Sequence, residues 1–145
     1  MPARPGKTST CRNLLQASTV TQMAEPLALL AAAVVALWGV AHAIPTRQVV
    51  AGFAPISADN RLVILQEWLA EAIAMWGLAA VIVAATLTGA GTEASAWTYR
   101  MVAALLVALA VLTAATGART PVVWFKVCPV LLSGSAALLL AASVV

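Results

Sequence analysis

Hydrophobic positions in this chain gather into four long runs, parted by short polar or glycine-containing breaks. The first run is Leu27 to Ile44, closed by Pro45, whose ring disfavours helix at the residue before it. The second starts near Arg61 or Leu62 and reaches Thr88, where Gly89, Ala90 and Gly91 break it. The third runs from Thr98 to Thr116, with Trp97 and Tyr99 at its start as expected interfacial aromatics. The fourth opens near Pro121, a favoured first-turn residue, and continues to the last residues of the sequence. Its internal Pro129 predicts a kink one to two turns in. A helix crosses a bilayer with roughly 20 mostly apolar residues at about 1.5 Å each. The pattern therefore predicts spans over about 27–44, 62–88, 98–116 and 122–144.

The breaks set the connectivity. Thr116 to Thr120 is short enough to force the last two spans into an antiparallel hairpin. Pro45 to Asn60 is the long connection, and it ends in Ser57, Asp59 and Asn60, all good N-cap residues for the second span. Small residues recur at four-residue spacing, as in Gly39 with Ala43 and Ser133 with Ala137, a spacing that permits close helix approach in lipid. The expected architecture is an all-α integral membrane protein, a four-transmembrane-helix antiparallel bundle with both ends of the membrane domain on one side.

Composition removes the soluble alternatives. A hydrophobic fraction of 63% and a mean hydropathy of +0.98 leave no polar face for water, and 9% charged residues cannot coat one. The net charge of +3 is spread over segment ends, so no nucleic-acid footprint is expected. Cys11 and Cys128 lie on unlike segments without a C-x-x-C, which removes the thiol–disulfide signal. Residues 1–22 differ from everything after them: they carry Arg4, Lys7 and Arg12, several Ser and Thr, and no apolar run. They read as a disordered basic tail or as a misassigned start ahead of Met23, with one membrane domain over 23–145. Counting from Met23, Arg100 alone faces Arg47, Arg61, Arg119 and Lys126 on the opposite side. The positive-inside rule then puts the loop after the first span in the cytoplasm, whereas with Arg4, Lys7 and Arg12 counted each side has four positive residues and the rule is silent.

Polar groups are one-sided. His42, near the end of the first span, Glu67 and Glu71, early in the second, and Lys126, a turn inside the fourth, all lie toward one membrane face. Asn60, Glu67, Glu71, Ala74 and Leu78 share a stripe of the second span. Two carboxylates four residues apart repel unless one is protonated, both share a cation, or a base sits nearby. Glu71 should enter the apolar slab, where a lone charge costs on the order of 3 kcal/mol, so a partner is expected. Lys126, whose own stripe continues through Ser133 and Ala137, is the expected partner, with Glu67 and His42 nearer the mouth. The plainer alternative is a structural polar lock, or a Lys126 that snorkels to the headgroups. As the only histidine, His42 cannot build a bis-His haem or an H-E-x-x-H zinc site, and no metal is assigned.

The stretch GFAPISADNRLVILQEWLAEAIAMWG, Gly52 to Gly77, together with HAIP, His42 to Pro45, resembles small four-span integral membrane proteins of bacteria. Those families carry no firm activity, so the resemblance implies a fold and the bacterial inner membrane, and no chemistry. Small multidrug transporters also have four spans, but their key carboxylate lies in the first, which has none here. The expectation is a structural or accessory membrane subunit, in contact with lipid and with partner subunits or further copies of itself. The alternative is a small-molecule or lipid-binding protein, an enzyme or a proton-coupled carrier, working through His42, Asn60, Glu67, Glu71 and Lys126. No cofactor is implied.

Overall fold

The structure is a computed structural model that describes the backbone of residues 7–53 and 55–145, with side chains from residue 23 onward. The described residues form α1 (Lys7–Ala43), α2 (Thr46–Gly52), α3 (Ala58–Gly89), α4 (Glu93–Ala115), a 3₁₀ turn (Gly117–Arg119) and α5 (Val123–Ala142), and no strand. Four segments are long and apolar enough to cross a membrane: Met23–Ala43, Ala58–Gly89, Glu93–Arg119 and Val123–Ala142. The molecule is a multi-pass, all-α membrane bundle. From Lys7 the basic segment ahead of Met23 is drawn as part of α1, while the first six positions of the expected tail lie outside the described residues.

Each helix end has a local cause. α1 stops at Ala43, two residues ahead of Pro45. α3 starts behind Ser57, whose hydroxyl accepts the Asn60 N–H at 3.2 Å, leaving Asp59 inside the first turn near the positive helix end. The α3–α4 turn uses Gly91 at φ 80, a left-handed conformation that costs a residue with a Cβ. Thr92 then caps α4, accepting the Ser95 N–H at 3.2 Å while donating to the Gly89 carbonyl at 2.7 Å. That cap starts α4 at Glu93, more than a turn ahead of the expected Thr98. Pro121 falls before α5 rather than in its first turn, and Pro129 sits inside α5, which runs unbroken from Val123 to Ala142. The long connection holds a helix the apolar pattern does not show: α2 is only seven residues, too short to display a period, and it anchors on α3 with Val50 buried.

Around the bundle the order is α3, α1, α5, α4, with a lesser α3–α4 contact closing the ring. The α1 face toward its neighbours is built of small residues, Ala24, Ala28, Ala31, Val35 and Gly39, all buried. Lipid offers helices no hydrophobic gain for associating, so they associate through close backbone approach and packing. Gly39 shows how close: a Cβ there would lie 2.8 Å from Trp76 Nε1 and 3.2 Å from Met75 Cβ. The Trp76 indole instead crosses α1 and donates to the Ala36 carbonyl at 3.2 Å. The α3 seam is Ala72, Met75, Ala79, Ile82 and Thr86. The α5 seam is Cys128, Leu132, Ser135, Ala136, Leu139 and Ala142. Large apolar side chains such as Leu37, Ile73, Met101, Val111 and Val130 are exposed on the outside, where the acyl chains are.

Two expectations about the interior change. Ser133 and Ala137 are exposed, so their four-residue spacing does not make a helix contact, whereas the spacing through Gly39 does. Tyr99 is buried to 1% exposure, and only its neighbour Trp97, at 55%, keeps the outward position expected of both. The Tyr99 hydroxyl meets Thr86 Oγ1 at 2.9 Å. Because Thr86 Oγ1 donates to the Ile82 carbonyl at 2.7 Å, Tyr99 is the donor between them. The α3–α4 contact is thus tied by one neutral, fully satisfied hydroxyl pair.

Candidate functional site

Helical phase decides which of the polar groups meet. In α1, His42 continues the face of Ala28, Ala31 and Val35, so the imidazole enters the bundle and is 8% exposed. In α3 the seam passes through Trp68, Ala72 and Met75. At about 100° per residue, Glu71 lies about 60° from the seam's centre, while Glu67 lies about 100° away. Glu71 is accordingly half-buried and Glu67 exposed, as is Asn60, whose backbone N–H serves the Ser57 cap.

These positions put His42, Trp68 and Glu71 together. The His42 ring stacks on Trp68 with centroids 3.9 Å apart and planes 18° from parallel. The Trp68 Nε1–H donates to the His42 carbonyl at 2.9 Å, one of the last-turn carbonyls of α1 that the helix itself leaves without a donor. His42 Nε2 lies 3.4 Å from Glu71 Oε2, the only salt-bridge distance among the described residues. The approach is close enough for attraction when the imidazole is protonated, yet it is not aligned as a hydrogen bond, and the buried Nε2 has no other partner. Glu71 keeps 34% exposure, so its side chain is not sealed inside the bundle. Phe125 of α5 also meets Trp68 in a T-shaped contact, with centroids 6.2 Å apart and planes at 74°. A turn deeper, Trp38 Nε1–H points to Cys128 Sγ at 3.2 Å, joining α1 to α5.

Lys126 takes no part. It stands two residues before Cys128, which puts it about 160–200° away from the α5 seam. Ser133 and Ala137 do share its stripe, and all three are exposed on the outer face. The expected Glu71–Lys126 pair is therefore replaced by a Glu71–His42 pair, with Lys126 turned outward near the helix end, where a lysine can reach the headgroups. No group of three His, Cys, Asp or Glu side chains converges among the described residues. Trp68 and Phe125 are the members that sequence reasoning passed over. By position alone Trp68, near the start of the second apolar run, resembles an interfacial anchor, although its place three residues before Glu71 already puts it on the neighbouring stripe.

Two surface clefts lie outside this arrangement, one at each end of the bundle. One, of about 430 Å³, sits at the same end and is lined by Ala43, Ile44, Thr46, Arg47, Val50, Arg61, Leu65 and Leu69. The other, of about 440 Å³, lies at the opposite end beside Arg100 and Ser143. There Arg100 Nη2 donates to the Ser143 carbonyl at 3.1 Å, with its guanidinium 5.3 Å over Trp97, tying α4 to α5. Neither cleft includes His42 or Glu71. No protein-family model matches the chain, and neither a curated protein nor a solved structure matches it significantly.

Proposed function

We propose that this protein is a structural or accessory subunit of the bacterial inner membrane, with the His42–Trp68–Glu71 group acting as an internal polar lock. The observation that carries the reading is the closure of that group on itself. The imidazole is covered by an indole, its own carbonyl takes that indole's N–H, and the carboxylate beside it, Glu71, stands on the same helix as that indole. A group spent on holding α1 to α3 is not arranged to receive a substrate. Glu67 and Lys126, by contrast, are exposed on the bundle's outer surface, where ionisable groups at a membrane face can meet a partner subunit.

The test is native mass spectrometry of the protein extracted gently from its own membrane. Partners at fixed stoichiometry, released by Glu67→Gln with Lys126→Met while the fold persists, are the expected result. A lone chain or homodimer that keeps a small-molecule mass overturns the accessory role. It would support the second reading, a carrier or enzyme working through Glu71. That reading is favoured by one observation, the residual exposure of Glu71 beside an imidazole nitrogen without a hydrogen bond.

A further inference from the structure

The cleft between α2 and the start of α3 is distinct from the polar lock and has a chemistry of its own. Its charged lining consists of two arginines, Arg47 from α2 and Arg61 from α3, and it includes no acidic side chain. Both arginines are exposed, and neither makes a salt bridge among the described residues. The rest of the wall is mostly aliphatic: Ile44, Val50, Leu65 and Leu69. The cleft sits where α1 ends and the apolar run of α3 begins, with Leu65 and Leu69 in its wall, so it lies at the boundary between headgroups and acyl chains. α2 holds its outer side in place because Val50 is buried against the bundle.

The geometry points to a binding site for one anionic phospholipid, its phosphate held between the Arg47 and Arg61 guanidinium groups and its first acyl carbons against Leu65 and Leu69. Guanidinium forks match phosphate oxygens in pairs, and basic pockets between membrane helices favour anionic headgroups. About 430 Å³ accommodates a phosphoglycerol headgroup with a few methylenes, within the usual size of a ligand pocket. The aliphatic wall distinguishes this site from a simple phosphate cradle, because a free anion makes no use of it. The site does not depend on the accessory role proposed above.

The experiment is native mass spectrometry of the full chain in non-ionic detergent, offered phosphatidylglycerol and phosphatidylcholine in equal amounts. Wild-type protein is expected to retain one phosphatidylglycerol in preference to phosphatidylcholine by about five-fold or more. Arg47→Gln with Arg61→Gln should abolish the preference. Arg119→Gln with Lys126→Gln, which removes two positive charges from the same membrane face, should leave it. Circular dichroism checks that both double variants stay folded, as expected for exposed side chains. Equal retention of the two lipids by the wild type would overturn the site. Loss of preference in the Arg119 and Lys126 double variant as well would reduce it to general surface attraction. A parallel incubation with inorganic phosphate alone separates the sources: a phosphate adduct that excludes the lipid would overturn the phospholipid as occupant.

Discussion

Two of the polar ties of α3, at its opposite ends, are built from opposite materials. Near one membrane face, α3 meets α4 through Thr86 and Tyr99, neutral hydroxyls that are both buried and both satisfied. Near the other, it meets α1 through Glu71 and Trp68 on His42, where the contact includes two ionisable groups, a stacked ring and a nitrogen with no aligned partner. A neutral pair has little desolvation to overcome, so it can sit in a dry seam as a fixed pin. An ionisable pair is tolerable only where one member reaches polar surroundings, and Glu71 does. The first tie specifies register. The second couples register to the electrostatic state of one end of the bundle.

Substitutions can break or sharpen this contrast. The largest effect is expected from Trp68→Ala, which removes the stack on His42, the donor to its carbonyl and the edge contact with Phe125. A loss of about 3 kcal/mol of folding stability is expected, read by denaturant titration in micelles with helicity as the signal. A loss under about 1 kcal/mol would mean that Glu71 alone holds the end of α1. Next comes Gly39→Val, which forces branched carbons toward Trp76 and Met75. It should cost about 1–3 kcal/mol and shift the Trp76 emission as the indole leaves the Ala36 carbonyl.

Tyr99→Phe is expected to cost about 1 kcal/mol, the value of one neutral hydrogen bond, because Thr86 still donates to Ile82. A double-mutant cycle on His42→Gln and Glu71→Gln should give a coupling of about 0.5–1 kcal/mol, less than an ideally aligned pair would give. The same cycle on Glu71 and Lys126 should give none. Smallest of all is Lys126→Met, whose effect on folding should stay within about 0.5 kcal/mol, as for an exposed position. Its effect on assembly with partners is where a change is expected.

The spans were legible in the sequence because lipid demands long apolar runs, and nothing else in a chain looks like one. Their ends were legible where chemistry punctuates them, at Pro45, Ser57 and Gly91. The facing of α5 was not. Lys126, Ser133 and Ala137 form a stripe, and so do Cys128, Leu132 and Leu139, but in a membrane both sides of a helix are apolar, so hydropathy does not say which side turns inward. The answer lay in packing, with Cys128 fitting against Trp38. For His42 the inward position was legible, because it continues the alanine face of α1. Its partner was not, since the choice between Glu71 and Lys126 depends on helix rotation. Tyr99 deceived for a related reason: an aromatic near a helix start can anchor to the interface or reach across a seam, and only the presence of Thr86 opposite it decides.

The length of α3 has a mechanical consequence. Its 32 residues amount to roughly 48 Å at 1.5 Å each, against about 30 Å of hydrocarbon. Tilting within the range seen for membrane helices, up to about 40°, does not absorb the whole excess, so part of the helix stands clear of the acyl chains. The apolar stretch from Trp68 to Thr86 fills the slab, which leaves Ala58–Glu67 as a stiff mast in the headgroup region with α2 strapped to its side. Trp68 and Glu71 sit where that mast meets the slab, at the contact with His42. A load applied at Asp59 or Arg61 would thus reach the contacts around His42 through one continuous helix.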